Sequence, residues 1–255
     1  MGDRGYCHPA NPSANACKCS SPTDSTHSGL DVMALVLGIA STKGGSGKTT
    51  LAINLARAIQ LKGYDVQVVD TDPQRTAVEW GNLQPDGYQL PVRHVEDAPT
   101  AVSLHSRLML LEEEADVSVI DGSPKSDGTT EALVRASHAV LIPIQPTPAD
   151  IWAARSVVEI INRIGTPAGL VISRQIVGTN LANAIADELR DRDLPVFESR
   201  VSQRVAYAET MMDGITVMDR SQASKARQEV EGVAGELINL IRRHHDTDAK
   251  GERDQ

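Results

Sequence analysis

The chain has 255 residues, 40% of them hydrophobic and only 3% aromatic, enough apolar material for one sizeable domain. Its formal net charge of −9 gives no bulk positive field to draw it onto nucleic acid or anionic lipid, so any DNA binding has to come from a local patch. The three cysteines, Cys7, Cys17 and Cys19, all lie near the start of the chain; they imply no disulfide framework, which suits a reducing cytoplasm, and with His8 they do not match the usual zinc spacing.

Residues 1–32 are rich in Ser, Pro, Asn, Thr and Gly without apolar periodicity, and the expectation is a disordered tail. Met33 stands immediately before the first strand and marks an alternative start that would leave that tail untranslated. The longest apolar run, Met33 to Ala40, falls well short of the ~20 residues a membrane span requires, and no signal peptide is evident.

Ala34–Ala40 reads as a strand, and it runs into Lys43-Gly44-Gly45-Ser46-Gly47-Lys48-Thr49-Thr50, followed by a helix over Leu51–Lys62. The glycines let successive N–H groups point into one concavity above the positive end of the helix dipole, a site suited to a polyphosphate such as ATP. Lys48 is placed to reach the β- and γ-phosphates and the Thr49 hydroxyl to ligate Mg²⁺. The plainer alternative is a glycine-rich turn that only joins strand to helix.

Gly63 stops the helix, and Val66–Asp70 is a second strand, apolar enough for burial on both faces. A short helix is expected over Thr76–Leu83, a strand over Leu90–His94, a helix over Ala98–Glu114 and a strand over Val117–Asp121. Then come a helix over Thr129–Ser137, strand Ala139–Ile144, helix Ile151–Ile164, strand Leu170–Arg174 and helix Asn180–Arg192. A strand at Pro195–Phe197, a helix near Gln203–Asp213 and a long helix from about Ser221 to Arg243 complete a domain over 33–243, with a polar tail at 244–255. The alternation predicts an α/β fold, a doubly wound and mostly parallel sheet with helices on both faces and ligands at the carboxyl ends of the strands, and the glycine loop makes the expected fold one of P-loop NTPase type.

Asp70 and Asp121 tip two of those strands on that edge. Asp121 sits where a carboxylate would hold the Mg²⁺ shell through water, although a strand-end Asp also serves as a turn or helix cap. The proline-rich run Pro143–Asp150 stiffens the next connection, either as a rigid turn with Asp150 as N-cap or as part of the nucleotide site. Arg174 ends a strand on the same edge and would line the base pocket or point to solvent. Arg190, Arg192, Arg200, Arg204, Lys225 and Arg227 give recurring positive charge, an ordinary solvated surface unless several align on one face.

The double-lysine loop from Lys43 to Thr50 resembles the deviant Walker A sequence of the ParA/MinD group of dimerising ATPases, and Asp70-Thr71-Asp72-Pro73-Gln74 resembles the Asp-x-Asp-Pro-Gln that follows their second strand. The resemblance runs over residues 33 to about 243 and is nearest to the small plasmid-type ParA proteins. It implies an ATP-dependent homodimer in which Lys43 reaches the nucleotide of the other subunit. It also implies Asp72 as the acid that orients the attacking water, Asp70 as a strut for Mg²⁺ waters or for the loop, and Thr147, Pro148 and Asp150 at the adenosine side and the interface. A residue-level alternative makes Asp72 a cap for the helix at Thr76.

By the same resemblance the expected function is a slow, Mg²⁺-dependent partition ATPase, cytoplasmic and nucleoid-associated, that binds non-specific DNA and is stimulated by a ParB-like centromere-binding partner. The alternative is a ParA-like ATPase that positions a protein cargo or a DNA-transfer complex; a metabolic ligase-like relative is a third reading. The final residues, Asp246 to Gln255, are polar throughout, unlike a MinD-type membrane helix, so no membrane partner is expected. A nitrogenase-type iron protein would need cysteines in the folded body, and none is there.

Overall fold

Aliphatic runs of five or six residues build the centre of the molecule: β1 (Leu35–Ile39), β2 (Val66–Asp70), β4 (Val117–Asp121), β5 (Ala139–Ile144) and β6 (Ala168–Ile172) are buried at every position, while the short β3 (Val92–His94) is partly exposed. In this computed structural model the described residues are 34–95, 101–110, 115–124, 127–177 and 194–251, with Ile185, Asp187 and Leu189. Expectations placed on the tail, Met33, the cysteines, the start and end of the helix expected over Ala98–Glu114, Arg190, Arg192 and most of the helix around them lie outside these residues.

The strands form one six-stranded sheet in the order β3-β2-β4-β1-β5-β6, and every pair is parallel. Parallel strands buried on both faces need helices on both sides, and the sequence supplies them. On one face Leu108 of α3 (Ala101–Met109), Leu133 of α4 (Asp127–Ala136) and Val157 and Ile161 of α5 (Pro148–Ile164) share a core with Val36, Ile120, Val140 and Ile142. Alternate strand residues such as Leu37, Val119 and Leu141 are equally buried. Beside them α1 (Lys48–Gln60) and the C-terminal helix pack on each other and on β4, β5 and β6. Each such fully buried Val, Leu or Ile contributes about 1.5–3 kcal/mol. At Gly38 a Cβ would come 2.4 Å from Leu133 Cδ2 and 2.5 Å from Ser137 Oγ, so a glycine there lets α4 lie directly on β1.

Several boundaries differ from those expected, and four of the differences bear on the site or on the end of the chain. Helix α5 starts at Pro148 rather than Ile151, because Thr147 is its N-cap and its Oγ1 accepts from Asp150 N at 3.2 Å; Asp150 is therefore not the cap. Strand β6 ends at Ile172, and Arg174 beyond it adopts a left-handed φ of 52°. Pro195–Phe197 contributes a single parallel bridge, Leu170 to Val196, in place of a strand. After α2 (Thr76–Asn82) and α6 (Val205–Met212), the last helix, α7 (Ser224–Gly251), runs on through most of the residues expected as a tail. No proline or glycine interrupts it between Arg243 and Gly251. No helix among the described residues is long and apolar enough to cross a membrane.

Candidate active site

The register of the sheet brings the tips of β1, β4 and β2 to one level: Ile39 and Asp70 are both opposite Asp121. Thr71, just past β2, donates to the Asp121 carbonyl from its N at 3.0 Å and its Oγ1 at 2.9 Å, which locks the two acid-tipped strands together. The glycine loop leaves β1 at this edge and turns through positive φ at Gly45 (76°) and Gly47 (91°), the second immediately preceding α1. Such angles strain any residue with a Cβ. The loop is strapped from its far side: Ser173 Oγ donates to Ser46 O at 2.9 Å, while Gln145 Nε2 and Arg174 Nη1 donate to Gly45 O at 2.9 and 2.7 Å.

Lys48 opens α1 and is nearly buried, its Nζ donating to Lys43 O at 3.2 Å. Burial lowers its pKa, against the opposing pull of Asp121 and then Asp72, so all three groups feel one another. Asp121 is 1% exposed, and neither of its oxygens receives a hydrogen bond of ordinary geometry. Burial raises its pKa to about 7; the Thr49 hydroxyl beside it favours the anion only in part, Asp70 pushes further up and Lys48 pulls down. An unpaired buried carboxylate is costly unless a cation or water shell completes it. Among the described residues no cluster of three or more His, Cys, Asp or Glu is arranged to hold a metal. A Mg²⁺ held by one or two protein groups plus phosphate oxygens and water needs no such cluster, and Thr49 with Asp121 fits it.

Asp70 does something different from its neighbour two residues on. Its Oδ1 accepts from Asp72 N at 2.9 Å and its Oδ2 from Ala77 N at 2.9 Å and Val78 N at 3.2 Å, so both oxygens are spent on backbone. Burial raises its pKa, and these amides with His94 oppose the rise. The side chain of Asp70, and not that of Asp72, thus satisfies the start of α2. The Asp72 side chain accepts from Gln74 N at 3.0 Å, and the residue remains half-buried at the mouth of the site.

Lys43 is folded back within its own chain, where its ammonium pairs with Asp150, which also accepts from Thr147 Oγ1. Thr147, Pro148 and Asp150 accordingly flank Lys43. The open cleft beside the loop lies elsewhere: about 870 Å³ in volume, it is bordered by Gly47, Thr50, Ser173, Arg174, Ser202 and Val205. The segments after β6 and before α6 border this cleft, and the proline loop does not line it. Arg204, expected among solvated or DNA-facing charges, is tied to Glu229 at 2.6 Å. Ser173, Ser202 and Glu229 escaped the sequence reading; only the position of Ser173 beside Arg174 hinted at one of them.

The model of the CobQ/CobB/MinD/ParA nucleotide binding domain matches residues 37–217. Maintenance of carboxysome distribution protein A of Halothiobacillus neapolitanus is 28% identical over 215 residues, which cover 80% of this chain and 97% of that protein. The chromosome-partitioning ATPase Soj of Thermus thermophilus is 26% identical over 245 residues, covering 80% and 96%. The fold is shared with the ATP complex of a Cyanothece McdA variant, at a TM-score of 0.67 and 21% identity over 82% of this chain and 98% of that one. A phosphate loop at the carboxyl edge of a parallel sheet and a family model that spans the loop, both acids and the proline run agree, and the chain belongs to the CobQ/CobB/MinD/ParA nucleotide-binding family.

Proposed function

We propose that this protein is a ParA-like ATPase that positions a protein cargo, using ATP to switch between a monomer and a DNA-associated dimer. The observation that carries the chemistry is Asp121, a buried carboxylate with two unpaired oxygens beside Lys48 and Thr49 at the mouth of a phosphate loop. What supports the task is similarity along 97% of a relative named for maintaining carboxysome distribution.

On this reading the loop amides and Lys48 bind the β- and γ-phosphates, and Thr49 and Asp121 hold Mg²⁺. Bound there, the ion would neutralise phosphate charge as it develops. Asp72 orients a water for attack on the γ-phosphorus; the bond to the β-γ bridging oxygen breaks, leaving ADP and phosphate. Lys43, released from Asp150, serves the nucleotide of the second subunit. Turnover is slow without a partner, because Lys48 alone among the loop's own residues brings positive charge to the γ-phosphate until that second lysine arrives. The protein acts in the cytoplasm on the nucleoid, with non-specific DNA as its track.

The Soj relative favours a second reading, segregation of plasmid or chromosome with a ParB-like partner. Two experiments divide the possibilities. ATP-dependent, salt-sensitive binding to non-specific duplex, lost in Lys43→Ala, supports the motor common to both readings, and equal binding with ATP, ADP and no nucleotide argues against it. Deletion in the cell then separates them: clustered cargo with unchanged plasmid loss supports positioning, and raised plasmid loss supports partition.

A further inference from the structure

Glu229 lies on α7, far in sequence from every motif that marks the nucleotide site. Its carboxylate nevertheless collects donors from the segment that borders the cleft beside the phosphate loop. Ser202 donates from its N at 3.2 Å and its Oγ at 2.7 Å. Arg204 adds Nε at 3.1 Å to both oxygens and Nη2 at 2.6 Å, and the Tyr207 hydroxyl lies at 3.5 Å. The Glu229 side chain is 15% exposed, so these are charge-assisted bonds at the margin of the core.

The network continues toward the phosphates. Gln175 Nε2 donates to Ser202 Oγ at 3.2 Å, Gln175 N to Val201 O at 3.3 Å and Gln203 N to Gln175 O at 2.9 Å, so the segment after β6 is stitched to the one before α6. One residue back along that first segment, Arg174 holds Gly45 O, and Ser173 holds Ser46 O. A continuous chain of polar contacts thus runs from the phosphate loop, along both borders of the 870 Å³ cleft, to one carboxylate on the last helix. The purely structural explanation is a clasp that pins α7 to the domain. That role is already filled by Val230, Val233, Ala234, Leu237 and Ile241, all buried on the same helix.

We propose that Glu229 is a positioning residue for nucleotide binding: it fixes the 201–204 segment so that the cleft accepts the nucleoside half of the nucleotide, while the loop alone accepts the phosphates. The inference rests on the reading that ATP occupies this edge. It assigns to α7 a part in ligand recognition as well as in packing. Burial raises the pKa of Tyr207 and Glu229 raises it further, which fits a neutral phenol donating toward a charged carboxylate.

The test compares binding of ATP and of inorganic tripolyphosphate by calorimetry, for the full-length protein, Glu229→Gln, Glu229→Ala and Ser202→Ala. The last variant keeps the Glu229 to Arg204 pair and the helix core, so it is the variant that folds if the others do not. Expected is a loss of ATP affinity of about tenfold in the Glu229 variants and a smaller loss in Ser202→Ala, with tripolyphosphate binding unchanged. In turnover assays KM should rise while kcat at saturation holds. Equal weakening of both ligands, or unchanged ATP affinity in a folded variant, overturns the inference. A wild-type protein that binds tripolyphosphate as tightly as ATP overturns it too, because the cleft then contributes nothing. A wild-type protein that binds neither refutes the nucleotide reading itself, and the inference falls with it.

Discussion

Lys43 and Asp150 stand 107 residues apart in sequence and form an ion pair within one chain, joining the start of the phosphate loop to the first turn of α5. The lysine side chain is 38% exposed and the aspartate 3%, with one aspartate oxygen unpaired. On the proposed reading a lysine so held is unavailable to a second subunit, and leaving this pair would be part of the cost of dimerisation. Asp150→Asn keeps the side-chain shape and removes the charge that retains Lys43. The expected outcome is dimerisation at a several-fold lower protein concentration with ATP, read by sedimentation; weaker dimerisation would mean that Asp150 belongs to the interface instead. Lys43→Ala should lower stability by about 1–2 kcal/mol, discounted for the solvent that already reaches the lysine.

Asp70 and Asp72 separate on different readouts. Asp72→Ala removes one turn-stabilising bond from a half-buried side chain, so stability should fall by less than about 1 kcal/mol while turnover disappears and ATP still binds. Asp70→Ala strips three backbone amides of a buried acceptor and should lower stability by about 2–4 kcal/mol, visible as a fall in Tm. Normal hydrolysis by Asp72→Ala would refute its role as the water-orienting acid.

That division shows where the sequence stops being legible. Strands β2, β4 and β5 fall on the expected residues because burial on both faces leaves uninterrupted aliphatic runs, and the glycine loop announces itself by its own spacing. Two acids two residues apart at a strand end carry the same local signal, and only the path of the chain toward α2 decides which one turns back onto the amides. The cleft was hidden for a related reason: its borders come from segments around Arg174 and Ser202, whose bridge at Gln175 and Ser202 is a tertiary event without periodicity. Left-handed Arg174 is likewise unreadable, since nothing in Ser-Arg-Gln requires a positive φ.

Asp121 should make the unliganded protein pH-sensitive. Its carboxyl is raised from 3.8 to about 7, foremost by burial, so between those values the folded state binds more protons than the unfolded chain. Stability contributed by the neutral acid is complete below the lower value and declines as pH rises through the upper one. Thermal melts without ligand should therefore show Tm falling from about pH 5 to about pH 8, and Asp121→Asn should flatten that fall and melt higher at the alkaline end. Mg²⁺ with ATP should restore the wild type far more than the variant. A Tm that rises over this range in the wild type, with no difference in Asp121→Asn, would contradict the assignment of an unpaired buried carboxylate.

Arg174 combines a strained backbone with a contact to the loop, and the two can be separated. A non-glycine residue at φ 52° carries about 1 kcal/mol of strain, which Arg174→Gly relieves. The same change deletes the guanidinium that holds Gly45 O at 2.7 Å at the border of the cleft. Stability and affinity should consequently move in opposite directions: Tm unchanged or higher, and ATP affinity lower by about tenfold. Arg174→Ala keeps most of the strain and loses the guanidinium, so it should match the glycine variant in affinity and melt below it. If affinity survives in both, Ser173 and Gln145 suffice to hold the loop and Arg174 has no part in binding; if Tm falls in both, the guanidinium is a structural strap whose loss outweighs the relief of strain.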